Sequence, residues 1–115
     1  MKVTLYHNPR CSKSRQALAL LTERGVELQV IEYLKSPPTE QEIGECLRLL
    51  GFTPRQLMRR GEALYKELGL DAPELGDTEL IRAMAEHPVL IERPIALANG
   101  KAALGRPPEN VLTVL

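Results

Sequence analysis

Cys11 is the residue on which chemistry can be built. It follows Asn8-Pro9-Arg10 and is followed by Ser12-Lys13-Ser14-Arg15. Val3 and Leu5 alternate with Thr4 and Tyr6, which predicts a strand over Lys2–His7, and from Ser14 onward the pattern becomes helical. A cysteine is therefore expected on a loop between a strand and a helix N-terminus, with Arg10, Lys13 and Arg15 around it. The helix end carries partial positive charge and free N–H groups, and nearby cations favour the thiolate. The same helix end is a ready anion site. Together these residues point to a nucleophilic thiolate acting on an anionic substrate. Ser14 stands where a C-x-x-C motif would place a second cysteine, so no resolving thiol lies one turn away. The other cysteine, Cys46, shares an apolar stripe with Ile43 and Leu50 and reads as a small buried hydrophobe. Two well-separated histidines and no clustered cysteines give no metal site.

The elements that must position Cys11 follow from periodicity. A helix over 14–24 presents Ala17, Leu18, Leu20 and Leu21, and Gly25 ends it. A second strand is expected over 27–33. Strand, helix and strand within about thirty residues make a βαβ unit with parallel strands. Ser36-Pro37-Pro38 breaks the chain, and Thr39 with Glu42 forms a capping box for a helix over Glu40–Leu50. Shorter helices are expected over 55–60 and 62–68. Another is capped by Asp77 or Thr78 and runs to about Glu86, with Leu80, Ile81 and Met84 inward. Asn99-Gly100 is the dipeptide a type I′ turn requires, so 94–97 and 102–104 read as a hairpin. Residues 108–115 predict a last helix. The order is βαβ, helices, ββα, and the two halves are expected to form one mixed four-stranded sheet with a helical insertion between them.

Length and charge narrow the class. The 115 residues are expected to form one domain, 1–115. Fifteen basic residues balance fifteen acidic ones, which leaves no nucleic-acid footprint. No apolar run approaches the ~20 residues of a membrane helix. The two cysteines are too few for a disulfide framework, so a cytoplasmic protein in a reducing compartment is expected. Bases concentrate at the two ends of the chain (Lys2, Arg10, Lys13, Arg15 and Arg24, then Arg93, Lys101 and Arg106), and acids in the middle. The two basic segments are expected to meet around an anion.

Three stretches carry a resemblance: YHNPRCSKSR (6–15), LMRRGEALYKELGL (57–70) and HPVLIERPIALANGKAALGRPPE (87–109). In order and separation the chain is similar to the glutaredoxin-coupled arsenate reductase family, which has the thioredoxin fold. The resemblance implies Cys11 as nucleophile and Arg59, Arg93 and Arg106 as oxyanion ligands, Arg60 being the rival for the role of Arg59. It implies supporting roles for His7, Ser14 and Pro94, the last with a cis peptide bond. It implies no bound cofactor, glutathione as co-substrate, glutaredoxin as partner, arsenate or a similar oxyanion as substrate, and a monomer. The best-known members read Cys-Gly-Thr-Ser-Arg where this chain reads Cys11-Ser12-Lys13-Ser14-Arg15, as in a compact subgroup. Two other activities fit less well. A glutathione-dependent thiol reductase would keep Cys11 but need no arginine cage. A redox regulator of RNA polymerase from the same family would carry C-x-x-C, which Ser14 interrupts.

Overall fold

Val3 and Leu5 are fully buried on one side of Lys2–His7, the strand β1, and this side anchors the first part of the fold. The computed structural model describes all 115 residues. They form two compact units, one of Met1–Ser36 with Arg93–Leu115 and the other of Pro37–Glu92.

In the first unit β1 leads through a turn into the helix α1, Ser12–Glu23, and then to β2, Glu27–Glu32. β1 and β2 are parallel, with Leu5 opposite Val30 and His7 opposite Glu32. β3, Ile95–Ala98, pairs antiparallel with the other edge of β1, with Leu5 opposite Ala96. β4, Lys101–Leu104, returns antiparallel to β3 through Asn99 and Gly100, whose φ of 54° and 68° are those of the expected type I′ turn. The sheet order is β2-β1-β3-β4, the mixed thioredoxin-like sheet expected from βαβ and ββα halves. Val3 and Leu5 share one core with Ala17 and Leu21 of α1, Ala96, Ala98 and Ala103 of the hairpin, and Val111 and Val114.

Two elements of this unit differ from the sequence pattern. α1 begins at Ser12 instead of Ser14, with Cys11 itself as the residue before the first turn. Its buried face is Ser14, Ala17 and Leu21, while Leu18 and Leu20 are only partly covered. The last helix is a 3-10 helix over Pro108–Val114. Pro108, Val111 and Val114 are its buried residues, spaced by three, and a helix of 3.0 residues per turn puts such positions in line. Branched Val111, Thr113 and Val114 also weaken the α alternative.

The second unit is helical: α2, Glu40–Leu50; α3, Pro54–Leu57; α4, Ala63–Glu67; and α5, Asp77–Glu86. Thr39 Oγ1 accepts from Glu42 N at 3.1 Å and Glu42 Oε1 from Thr39 N at 2.9 Å, the expected capping box. α5 is preceded by Gly76, not by Asp77 or Thr78, because Glu79 reaches back to the Gly76 N–H. Ile43, Cys46 and Leu47 of α2 and Leu80 and Met84 of α5 are buried; Leu50 and Ile81 are only partly so. A short pairing closes the unit: Arg59 N donates to Leu90 O at 2.7 Å and Glu92 N to Leu57 O at 2.8 Å. No helix is long and apolar enough to cross a membrane.

Candidate active site

The turn after β1 is knotted by Asn8. Its carbonyl accepts from Cys11 N at 3.0 Å, its side-chain oxygen accepts from Arg10 N at 3.0 Å, and its own N–H donates to Ser14 Oγ at 3.0 Å. Arg15 N then donates to Cys11 O at 3.0 Å, the first bond of α1. Cys11 is thus held at the N-cap in an extended conformation, φ −94° and ψ 123°, and is partly exposed. Its sulfur faces the open end of the helix.

Burial is the largest single influence on the Cys11 thiol and opposes ionisation. It is outweighed by the Ser14 N–H, the charge of Arg93, the Lys13 N–H and a hydrogen bond from Arg93. The thiol pKa therefore lies below its ordinary value. The cation that acts on the sulfur is Arg93, 82 residues away in sequence, and not the local Arg10, Lys13 or Arg15. Arg15 is occupied otherwise, donating from its guanidinium to Pro9 O at 2.9 Å.

Arg93 lies two residues before β3, and the peptide bond to Pro94 is cis, as the resemblance implied. The Arg93 Nε–H is buried and bonds to no other group of the protein. Buried donors are nearly always partnered, so an N–H of this kind marks a place where an acceptor belongs. Arg106 lies close by, its guanidinium donating to Arg93 O at 3.1 Å. The peptide bond from Arg106 to Pro107 is also cis, which sequence reading did not foresee. Gly105 sets the spacing of these loops. Its N–H donates to Pro94 O at 2.8 Å, and a Cβ there would lie 2.6 Å from Pro94 Cγ. Gly105 was not singled out from sequence; the Gly-Arg-Pro run that follows the hairpin is the signal that could have found it.

His7 and Ser14 form a buried pair, His7 Nδ1 to Ser14 Oγ at 2.6 Å, with Ser14 fully inaccessible. Burial pushes the His7 pKa down; Glu32 acts against this and Arg15 with it. The imidazole is therefore neutral at pH 7. Ser14 Oγ accepts from Asn8 N–H and also shares the short bond with His7 Nδ1, so one hydroxyl ties the imidazole to the turn that carries Cys11.

His7, Cys11, Ser14, Arg93, Pro94 and Arg106 are thus brought together within the first unit. Arg59 belongs to the second, where its guanidinium is 2.6 Å from Glu62 and both side chains are 29% exposed. Arg60 is exposed. Cys46 is buried, and burial, with Glu42 and Glu45, pushes its thiol up to about 11. No group of three or more His, Cys, Asp or Glu side chains is arranged to hold a metal.

A thiol at the N-cap of the helix after the first strand, beside a loop ending in proline before β3, defines a thioredoxin-like thiol protein. The model of the ArsC family matches residues 6–114, and the chain belongs to that family. It is 54% identical over 115 residues to an arsenate reductase of Neisseria meningitidis serogroup A, covering 99% of this chain and 98% of that protein. An arsenate reductase of Haemophilus influenzae is 46% identical, each chain covering 100% of the other. The structure of an arsenate reductase from Vibrio cholerae superimposes with a TM-score of 0.96 at 52% identity, over 100% of this chain and 98% of that one.

Proposed function

We propose that this protein reduces arsenate to arsenite, with Cys11 as the nucleophile and a small external thiol as reductant. The observation that carries the reading is the pairing of a low-pKa thiol with a buried, unpartnered Arg93 Nε–H beside it. Relatives called arsenate reductases at 54% and 46% identity supply the substrate.

At pH 7 both thiolate and arsenate are anionic, so attack is opposed by repulsion. Arg93 and Arg106 neutralise the oxyanion. Forked guanidinium bonds suit a tetrahedral oxyanion, and the same charges stabilise the pentacoordinate transition state. Cys11 sulfur attacks arsenic, an oxygen leaves as water after protonation, and an S–As bond forms. A glutathione thiolate then attacks the Cys11 sulfur. The S–As pair of electrons stays on arsenic, which leaves as arsenite, and a Cys11–glutathione disulfide remains. Glutaredoxin attacks the glutathione sulfur and frees the Cys11 thiolate. The external thiol is needed because Ser14 replaces a resolving cysteine and Cys46 is buried with a raised pKa.

The test is arsenate-dependent NADPH oxidation with glutathione, glutaredoxin and glutathione reductase supplied. Turnover is expected in the wild type and absent in Cys11→Ser. No arsenate-dependent turnover, in protein whose Cys11 still alkylates readily at neutral pH, overturns the assignment of substrate.

A further inference from the structure

The turn that carries Cys11 has two cations that the chain does not use. Arg10 and Lys13 are exposed, on either side of the nucleophile in sequence. Ion pairs join Lys35 with Glu32, Arg48 with Glu45 and Arg59 with Glu62, and neither Arg10 nor Lys13 has a carboxylate partner of this kind. Nor do their charges serve the thiol, which is governed by backbone N–H groups and Arg93. Arg15, by contrast, is tied to Pro9 O.

Their placement also runs against helix electrostatics. A cation near a helix N-terminus is disfavoured by the dipole. α2 and α5 have acids in the first turn, Glu40 with Glu42 and Asp77 with Glu79, whereas α1 has none. Lys13 stands there instead. A local rule broken beside a reactive group is expected where function requires it. The Asn8 turn fixes the position of Arg10, since both its backbone N–H and that of Cys11 bond to Asn8.

We infer that Arg10 and Lys13 form a binding rim for the carboxylates of an anionic thiol or disulfide of the glutathione type, and so select the reductant that meets Cys11. The inference rests on the reading that Cys11 exchanges with an external thiol. The incoming glutathione thiolate bears two carboxylates besides its sulfur charge and approaches a sulfur whose arsenate adduct is already anionic. Arg93 and Arg106 are committed to the oxyanion. Unpaired cations on the exposed side of the turn are what remains to offset the second repulsion, and they do so for charged thiols only.

The step can be read without arsenate. Cys11 thiolate attacks glutathione disulfide, one S–S bond forms as another breaks, and glutathione thiolate leaves with the electron pair. Rates of this exchange are compared with those for bis(2-hydroxyethyl) disulfide, which is uncharged, in the wild type, Arg10→Glu/Lys13→Glu and Lys13→Arg. A change in Cys11 reactivity alone moves both rates equally, so the ratio isolates the rim. We expect the glutathione-to-neutral ratio to fall at least about fivefold in the double variant and to hold in Lys13→Arg. The difference should shrink at high salt. An equal ratio in the wild type and the double variant overturns the inference, as does failure of Cys11 to react with either disulfide. Loss of arsenate turnover with a charge-dependent ratio would defeat the substrate assignment and leave the rim standing.

Discussion

Replacing Gly105 by alanine tests how tightly the Arg93 loop is set. Gly105 is not among the residues with positive φ, so alanine is free to adopt its backbone conformation. The added methyl is the whole perturbation. It would sit 2.6 Å from Pro94 Cγ, 3.2 Å from Pro94 Cδ and 3.0 Å from Val111 Cγ1, all closer than ordinary packing permits. Pro94 is a closed ring, fully buried, and cannot swing aside as a flexible side chain would. Overpacking of this kind costs about 1–3 kcal/mol. The lower entropy of the unfolded alanine chain returns about 0.4–1 kcal/mol. A net loss of roughly 1–2 kcal/mol is expected, lowering the urea midpoint by roughly 0.5–1 M at unchanged slope. Because Pro94 adjoins Arg93, the thiol should respond too. The midpoint of the pH profile for iodoacetamide alkylation of Cys11 should rise as Arg93 is displaced. Unchanged stability together with an unchanged alkylation profile would show that the loop yields freely and that the packing argument is wrong.

Arg93→Ala should move the Cys11 alkylation profile to higher pH, since it removes both the charge and the hydrogen bond that favour the thiolate; an unmoved profile would exclude Arg93 as its stabiliser. Cys46→Ser should leave arsenate turnover within a few-fold, while Cys11→Ser abolishes it; loss in both would defeat the one-cysteine mechanism. Ser14→Ala should cost about 1–3 kcal/mol in urea unfolding, since it strips the partners of Asn8 N–H and His7, and a neutral result would count against that pair. The folded-state pKa of His7 lies below the unfolded value of 6.5. Stability should therefore be full above that value and decline as pH falls below it, because the unfolded chain takes up the proton first. His7→Gln should flatten that part of the stability profile, and an unchanged slope would place the titration elsewhere.

The parts of the fold written in local pattern were legible. The strand Lys2–His7, the Thr39–Glu42 capping box and the Asn99-Gly100 turn depend on neighbours in sequence, and the structure has each of them. The start of α1 was harder, because Ser12 and Lys13 carry no apolar signal and are helical through bonds that begin at Cys11. The terminal 3-10 helix is indistinguishable from an α-helix in sequence, since its three-residue spacing of Pro108, Val111 and Val114 fits either period over so short a run. Cys11 itself was legible from its setting between strand and helix. Its governing cation was not. Charge counting favours nearby Arg10, Lys13 and Arg15, whereas β3 carries Arg93 to the sulfur through a pairing with β1 that spans the chain. Only the family resemblance gave Arg93 its role, as it gave Arg106 and the cis bond before Pro94. Gly105 was missed because its importance is steric and appears only once Pro94 is in place.

The most direct measurement is a single turnover with arsenate and glutathione, without glutaredoxin. It is followed by arsenite release and by the mass of the peptide containing Cys11. One arsenite per chain should appear with one glutathione on Cys11, and both should be absent in Cys11→Ser. Arsenite formed without glutathione on Cys11, or no arsenite from protein with a reactive Cys11, would contradict reduction through a Cys11–arsenate adduct.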